Sequence, residues 1–337
     1  MREILRTTGE LESFRPEWEK LWSEDASATP FQHPAWLLPW WRCFGQDEAR
    51  AVVLRREGRP IGFLPFYIYG EPDSGKRRLL IIGTSTTDYL DGIFAPGCGA
   101  EDVSAAIQFL GERGGWDSMN LTQIRPQSLL AQALLPTSVR KLHGERCWRI
   151  PVARVPDLPA KLRRNVMYYR NRADRRGTLD FRMADASNWE QFFNALTEQH
   201  TAHWRERGED GVLASPRVQA WHREAVPQLL EAGLLRLCAL RLDGVPIAVA
   251  YSLADSTGHA HRAQYFYLHT YSPDYAELRP GTLLLAFAME RAAEEGIEAI
   301  DLLRGDEAYK QLWRSEPVPT LGFALPSEEL EHASQAA

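Results

Sequence analysis

Four cysteines are all the chain has, Cys43, Cys98, Cys147 and Cys238, and no two form a CxxC pair. Thiols so far apart make neither a zinc knuckle nor a disulfide framework, and they read as buried free cysteines. Long apolar runs are missing as well. None reaches the roughly 18 residues a membrane span requires, and Met1 to Glu10 holds no apolar signal-peptide core. Positive charge is not in excess: 39 Lys and Arg stand against 45 Asp and Glu, a formal net charge of −6. That removes the general electrostatic ground for nucleic-acid affinity. The expectation is a soluble cytoplasmic protein with no transmembrane segment and no nucleic-acid partner, though peripheral membrane contact stays open.

What is present is an ordinary globular composition, 25% charged and 44% hydrophobic over 337 residues, long enough for roughly two domains. Eleven tryptophans, several of them clustered at Trp36, Trp40 and Trp41, serve a core or an aromatic wall around an apolar substrate. The chain also repeats itself. Leu54-Arg-Arg-Glu-Gly-Arg-Pro-Ile61 matches Leu240-Arg-Leu-Asp-Gly-Val-Pro-Ile247 at an offset of 186, with Leu, Arg, Gly, Pro and Ile in place. In both copies a β-rich run (Ala51 to Arg56; Leu235 to Leu242) meets an acidic-Gly turn and returns as a second strand (Pro60 to Tyr69; Val245 to Ala254). A third strand follows (Arg78 to Gly83; Ala260 to Leu268), then a helix and a strand. Two helical patterns precede each meander: Leu11 to Ser23 and Pro34 to Phe44, then Asn188 to Arg207 and Pro216 to Ala232. The order ααβββαβ occurring twice predicts an α/β, layered α+β fold with a mixed sheet in each half.

Pro151 to Pro159 is proline-spaced and reads as a linker. It divides the chain into 1–150, 151–326 and a poorly ordered tail, 327–337. The helix Lys161 to Arg176 sets an apolar stripe, Leu162, Val166, Tyr169 and Ala173, against six arginines on its other faces. That basic side is either solvated or meets an anionic ligand. From Arg279 to Trp313, Arg279-Pro280-Gly281-Thr282 opens an apolar helix whose first N–H groups and dipole suit a phosphate. The helix should stop at Gly296. Ile297 to Leu303 reads as a buried strand, and the charged turn Arg304-Gly-Asp-Glu307 precedes Tyr309, Lys310 and Trp313 on one helical turn.

These residues carry a resemblance. Phe31-Gln-His-Pro-Ala-Trp36, Leu162-Arg-Arg-Asn-Val166, Tyr265-Phe-Tyr-Leu268, Tyr271-Ser-Pro-Asp-Tyr275, Arg279-Pro-Gly-Thr-Leu283 and above all Leu302-Leu-Arg-Gly-Asp-Glu-Ala-Tyr-Lys310 look like the CelD/BcsL-type acyltransferases. These are a branch of the GNAT (GCN5-related N-acetyltransferase) superfamily related to the Fem peptidyl transferases. The resemblance implies two tandem GNAT-like lobes. The second would bind acyl-CoA as a co-substrate, with no permanently bound cofactor, and pass the acyl group to an amine; the first, a degenerate copy, would shape the acceptor cleft. Arg279, Pro280, Gly281 and Thr282 map to the pyrophosphate loop, of which Pro280 removes one donor and only one glycine remains. Tyr267 and Tyr271 would border the thioester.

For the base, Asp306 stands first and Glu307 second, with a helix cap as the structural alternative for Asp306. Lys310 stabilises the oxyanion, grips a phosphate or is a surface lysine; on the first two readings Lys310→Ala lowers turnover and leaves the melting temperature nearly unchanged. Tyr309 and Arg304 complete the catalytic candidates, Arg304 also as an ion-pair partner of Asp301 or Asp306. His269 is a lesser base candidate. His200 and His203 stand three apart as metal ligands can, without a third ligand nearby. Three functions stay open, in this order: an acyl-CoA N-acyltransferase acting on an amino sugar, an amino lipid or a small amine; a Fem-like peptidyl transferase using aminoacyl-tRNA; and a silent partner protein that binds an acyl group or a polysaccharide precursor.

Overall fold

A computed structural model of the chain describes residues 1–45, 48–259 and 262–325; the tail expected at 327–337 and the first two residues of the strand expected from Ala260 lie outside the described residues. Two compact units result. One is Met1–Arg146 joined by the described residues from Pro319 on, the other Cys147–Val318.

The first unit runs through β1 (Arg2–Leu5), α1 (Thr8–Glu24), α2 (Pro34–Phe44), β2 (Glu48–Ala49), β3 (Ala51–Arg56), β4 (Arg59–Leu64), β5 (Phe66–Gly70), β6 (Arg77–Ile81), β7 (Ile93–Phe94), α3 (Ala100–Gly111), β8 (Ser118–Ile124), α4 (Leu129–Leu134) and β9 (Arg140–His143). The second holds β10 (Cys147–Pro151), α5 (Ala160–Asp174), β11 (Leu179–Met183), α6 (Trp189–Arg205), α7 (Pro216–Glu231), β12 (Leu235–Leu242), β13 (Val245–Ala254), β14 (Ala263–Tyr271), α8 (Pro280–Glu294), β15 (Ala299–Arg304), α9 (Ala308–Leu312) and β16 (Glu316–Val318). The final described strand, β17 (Leu321–Leu325), returns to the first unit.

Local chemistry sets the helix starts. Thr7 and Glu10 form a reciprocal capping box ahead of α1, the Glu10 N–H donating to Thr7 Oγ1 at 3.2 Å and the Thr7 N–H to Glu10 Oε2 at 2.9 Å. At α2 the His33 ring takes the cap, its Nδ1 accepting the Ala35 N–H at 3.1 Å, and Pro34 fills the first helical position. The repeated octapeptides fold into matching hairpins. Glu57 and Gly58 have φ 51° and 80°, Asp243 and Gly244 have φ 48° and 83°, and each hairpin is bulged at the same place, Leu54/Arg55 and Leu240/Arg241. Two successive positive φ values match the twist of a two-residue hairpin turn, which is why an acidic residue followed by Gly recurs there.

Three expectations need correction. The strand expected over Pro60 to Tyr69 breaks at Pro65, which offers no N–H to a ladder. Its halves enter different sheets, β1-β3-β4-β7 and β2-β5-β6-β8-β17-β9. Residues 147–150, expected in the first lobe, form β10 beside β15 in the second unit's sheet. Residues 321–325, expected in the second lobe, pair as β17 with β8 and β9 of the first.

The second unit's sheet has the order β11-β12-β13-β14-β15-β10-β16. One face packs Cys238, Leu240, Ala248, Ala250 and Phe266 against Leu162 and Val166 of α5 and Leu284 and Met289 of α8. Helix α6 lies along β12, β13 and β14, and α7 along β12. The feature that positions the site is a parting of strands. β14 and β15 pair in parallel only from Ala263–Ala299 to Tyr265–Asp301, after which β14 stays with β13 out to Tyr271 and β15 stays with β10 out to Arg304. A wedge opens between them, with the backbone of β14 along one side.

Candidate active site

β15 leaves the sheet through an unusual backbone. Leu303 has φ 55° and Gly305 φ 103°, so a side-chain-bearing residue holds a left-handed conformation at the end of a strand. The buried Asp301 steadies it, Oδ1 accepting the Leu303 N–H at 2.9 Å, while Arg149 lies 3.4 Å from Oδ2. Successive carbonyls thereby converge on Lys310, whose Nζ donates to Leu303 O at 3.2 Å, Arg304 O at 2.6 Å and Gly305 O at 2.9 Å and lies 2.9 Å from Glu307 Oε2. Lys310 is 2% exposed, so the surface-lysine reading is corrected. Its ammonium clamps the exit loop, and service to an oxyanion or a phosphate would require it to release a carbonyl.

The other candidates spread around this clamp. Asp306 is exposed and accepts the Trp148 indole N–H at 3.2 Å, while Glu307 takes the N-cap position of α9 that was the alternative for Asp306. Arg304 is half-buried at the strand end. Tyr309 packs edge-on against His269, ring centroids 5.4 Å apart, and burial with the nearby Glu307 charge pushes its hydroxyl pKa up.

His269 comes forward as a result. The residue is exposed, and the protein packed around it, with Lys310 and His203 nearby and Glu307 opposing, lowers the imidazole from its ordinary value to about 4. It is neutral at ordinary pH. His203 on α6 connects this group to Tyr271, ring centroids 6.0 Å apart, and a Cβ built on Gly281 would lie 3.8 Å from the Tyr271 ring. The site is thus continuous from the head of α8 through Tyr271, His203 and His269 to Tyr309 and Glu307. Tyr267 lies apart from it, in an aromatic group with His222 at 5.7 Å and Tyr251 at 5.9 Å.

At the head of α8, Arg279 is exposed with φ 50°. Its carbonyl already accepts Thr282 N–H at 3.0 Å and Leu283 N–H at 3.3 Å. Pro280 has no N–H, so the first turn of this loop offers an anion chiefly the Gly281 N–H, the helix dipole and the Arg279 side chain. The matching helix of the first unit, α3, starts among acids instead: Asp102 Oδ2 accepts the Gly99 N–H at 3.0 Å, beside Glu101. The strand β8 nonetheless repeats the left-handed exit, with Gln123 at φ 58°.

His200 accepts the Trp204 indole N–H at Nε2, 3.0 Å away, and among the described residues no group of three or more His, Cys, Asp or Glu could hold a metal ion. Burial, with His203 and His269 adding, lowers His200 to about 4, and burial alone lowers His222 to about 3. Both values lie below the ordinary 6.5, so the unfolded chain binds protons there before the folded one does, and stability is lost as pH falls from 6.5 toward 4. In the first unit His33, held near 3 by burial and then by Arg15, acts the same way. Asp91, raised to about 7 by burial, acts oppositely, since its folded form keeps a proton that the unfolded form has lost. Through His200 and His222 the second unit is therefore expected to lose on the order of 5 kcal/mol by about pH 4.5, with His269 acting in the same direction, and the first unit much less. Hydrogen exchange would show amides of 147–318 losing protection first; equal loss in both units would contradict the assignment.

Residues 160–311 match the family described as acetyltransferase (GNAT) domain. No curated protein matches the sequence. Among solved structures the chain is similar to FemX, with a TM-score of 0.66 at 11% identity over 92% of this chain and 95% of that one. It is also similar to L-PGS from Bacillus licheniformis, with 0.61 at 11% over 94% of each. A tandem GNAT protein from the clavulanic acid biosynthesis pathway gives 0.51 at 13% over 96% and 98%. At such identities the likeness is one of fold: mixed sheets flanked by helices, in two tandem GNAT-like lobes.

Proposed function

We propose that the chain, whose residues 160–311 match an acetyltransferase (GNAT) domain, is an acyltransferase of the CelD/BcsL type that transfers an acyl group from acyl-CoA to an amine. The observation that carries this reading is the wedge between β14 and β15. An extended carrier arm would lie along the β14 backbone as an added strand, its amide groups taking ladder positions. Its diphosphate would sit at Arg279 and the Gly281 N–H, which brings its far end past Tyr271 and His203 to His269. Of the two tyrosines first expected beside the thioester, Tyr271 fits that path and Tyr267 supports the sheet from the His222 side.

The chemistry follows from the same placement. The amine nitrogen bonds to the thioester carbonyl carbon, the C–S bond breaks, and the sulfur leaves as thiolate. The acceptor reacts as the neutral amine, its ammonium proton left to solvent, and the neutral His269 accepts the proton released as the C–N bond forms. Asp306 and Glu307, both exposed at the strand exit, draw a cationic acceptor toward the site. Lys310 holds the loop that carries them.

The test is to incubate the purified chain with a panel of acyl-CoA thioesters and amines, following thiol release and the mass of the acylated product. Transfer with at least one pair is expected, and Gly281→Phe, which fills the space before Tyr271, should raise KM for the thioester with little change in kcat. No CoA binding at millimolar concentration would sink the reading, and transfer from aminoacyl-tRNA alone would replace it with the Fem-like one.

A further inference from the structure

Helix α5 carries more positive charge than its packing uses. Residues 161–176 hold seven cations, Lys161, Arg163, Arg164, Arg170, Arg172, Arg175 and Arg176, against the single acid Asp174, in a chain whose net charge is −6. Three of the seven are engaged by protein. Arg163 donates to Pro156 O at 2.7 Å, Arg170 lies 4.9 Å from the centre of the Phe287 ring, and Arg176 pairs with Glu277. Lys161, Arg164, Arg172 and Arg175 are exposed and have no protein partner among the described residues.

Those four are not scattered. With Tyr168 they follow the spacing 3, 4, 4, 3 along the helix, opposite the buried Leu162, Val166 and Ala173. That spacing makes a straight stripe about 21 Å long. Two large apolar side chains of this helix are exposed, Tyr168 within the stripe at 59% and Met167 at 44%, about 100° around the helix on the flank of the stripe. Interfacial helices combine such features, with cations reaching phosphates and an aromatic ring settling at the headgroup level.

From this we infer that α5 docks the protein on an anionic lipid surface. Charge complementarity favours such a partner, and the apolar pair favours a bilayer over a nucleic acid. Tyr168 would also stack on a base, but Met167 gains only where it can leave water for acyl chains. The net charge of −6 does not oppose this, since a local stripe is little affected by charges beyond a Debye length. The stripe also lies near the donor loop: Arg176 pairs with Glu277, two residues ahead of Arg279. Docking there would bring the head of α8 close to the headgroups. The inference stands on the surface alone and holds whether or not the acyl-transfer reading does.

The test is cosedimentation of the full chain with vesicles of phosphatidylcholine, with and without phosphatidylserine. Partition onto the serine-containing vesicles is expected, falling as salt is raised, with little onto the neutral ones. The triple variant Arg164→Glu, Arg172→Glu, Arg175→Glu should lower that partition about tenfold or more, and Met167→Ser with Tyr168→Ser should weaken it less. Every position is exposed, and unchanged circular dichroism and melting temperature confirm that the variants fold. Equal distribution on both vesicle types, or undiminished binding by the triple variant, would overturn the inference. So would a preference for double-stranded RNA that anionic vesicles fail to compete away.

Discussion

Lys310→Met is expected to lower the unfolding free energy by about 3 kcal/mol or more and to lower turnover as a consequence. Methionine keeps the length and apolar stem of the side chain but has no protons to donate. The carbonyls of Leu303, Arg304 and Gly305, now within 3.2 Å of the ammonium, would then face one another without a donor, and Glu307 would lose its cation at 2.9 Å. Some water will reach the loop, since Glu307 is 58% exposed on its side chain, so the loss stays near the lower end of the range for a broken buried ion pair. Urea unfolding of the variant beside the parent measures it. A lysine engaged only in chemistry would behave otherwise, with turnover falling at an unchanged midpoint, as the oxyanion and phosphate readings of the sequence expect; the buried contacts of Lys310 lead to the opposite expectation. Should the midpoint hold while thioester turnover collapses, the clamp assignment fails and the oxyanion role returns.

His269→Ala is expected to reduce kcat for acyl transfer by about 100-fold or more, with KM for the thioester little changed. Removing a proton acceptor affects the step in which the amine loses its proton, while the carrier is held elsewhere, along β14 and at the head of α8. The pH profile gives an independent readout. With the imidazole held at about 4, the ring is unprotonated at every pH well above that value. The acid limb of kcat/KM should therefore fall off near 4 and show no break at 6.5, apart from that of the amine itself. His203→Ala, which removes one of the groups that lower His269, should move the limb upward. A His269→Ala enzyme with parental kcat would return Asp306 and Glu307 to the front as bases.

The sequence was informative where local geometry dictates residue type. The acidic-Gly turns at Glu57–Gly58 and Asp243–Gly244 require two positive φ angles, and such pairs supply them cheaply. The boundaries of α2, β3, β12 and β13 coincide with those expected because each is closed by a proline, a glycine or a change of period. What stayed hidden depends on distance along the chain. Nothing in Leu321–Leu325 records that its partners are β8 and β9, since an alternating apolar strand carries no address. Likewise Lys310 sits in a short polar helical turn that reads as surface, and its burial is decided by two left-handed residues earlier in the chain, Leu303 and Gly305. His269 and His203 become neighbours only when α6 lies on β14.

The route of β17 has a consequence for synthesis. In the first unit's larger sheet it stands between β8 and β9, so those two strands have no seam to share until residue 325 has left the ribosome. The half that is translated earlier must wait open-edged while the later one closes, and any clone that stops short of β17 would present that gap permanently to neighbouring molecules.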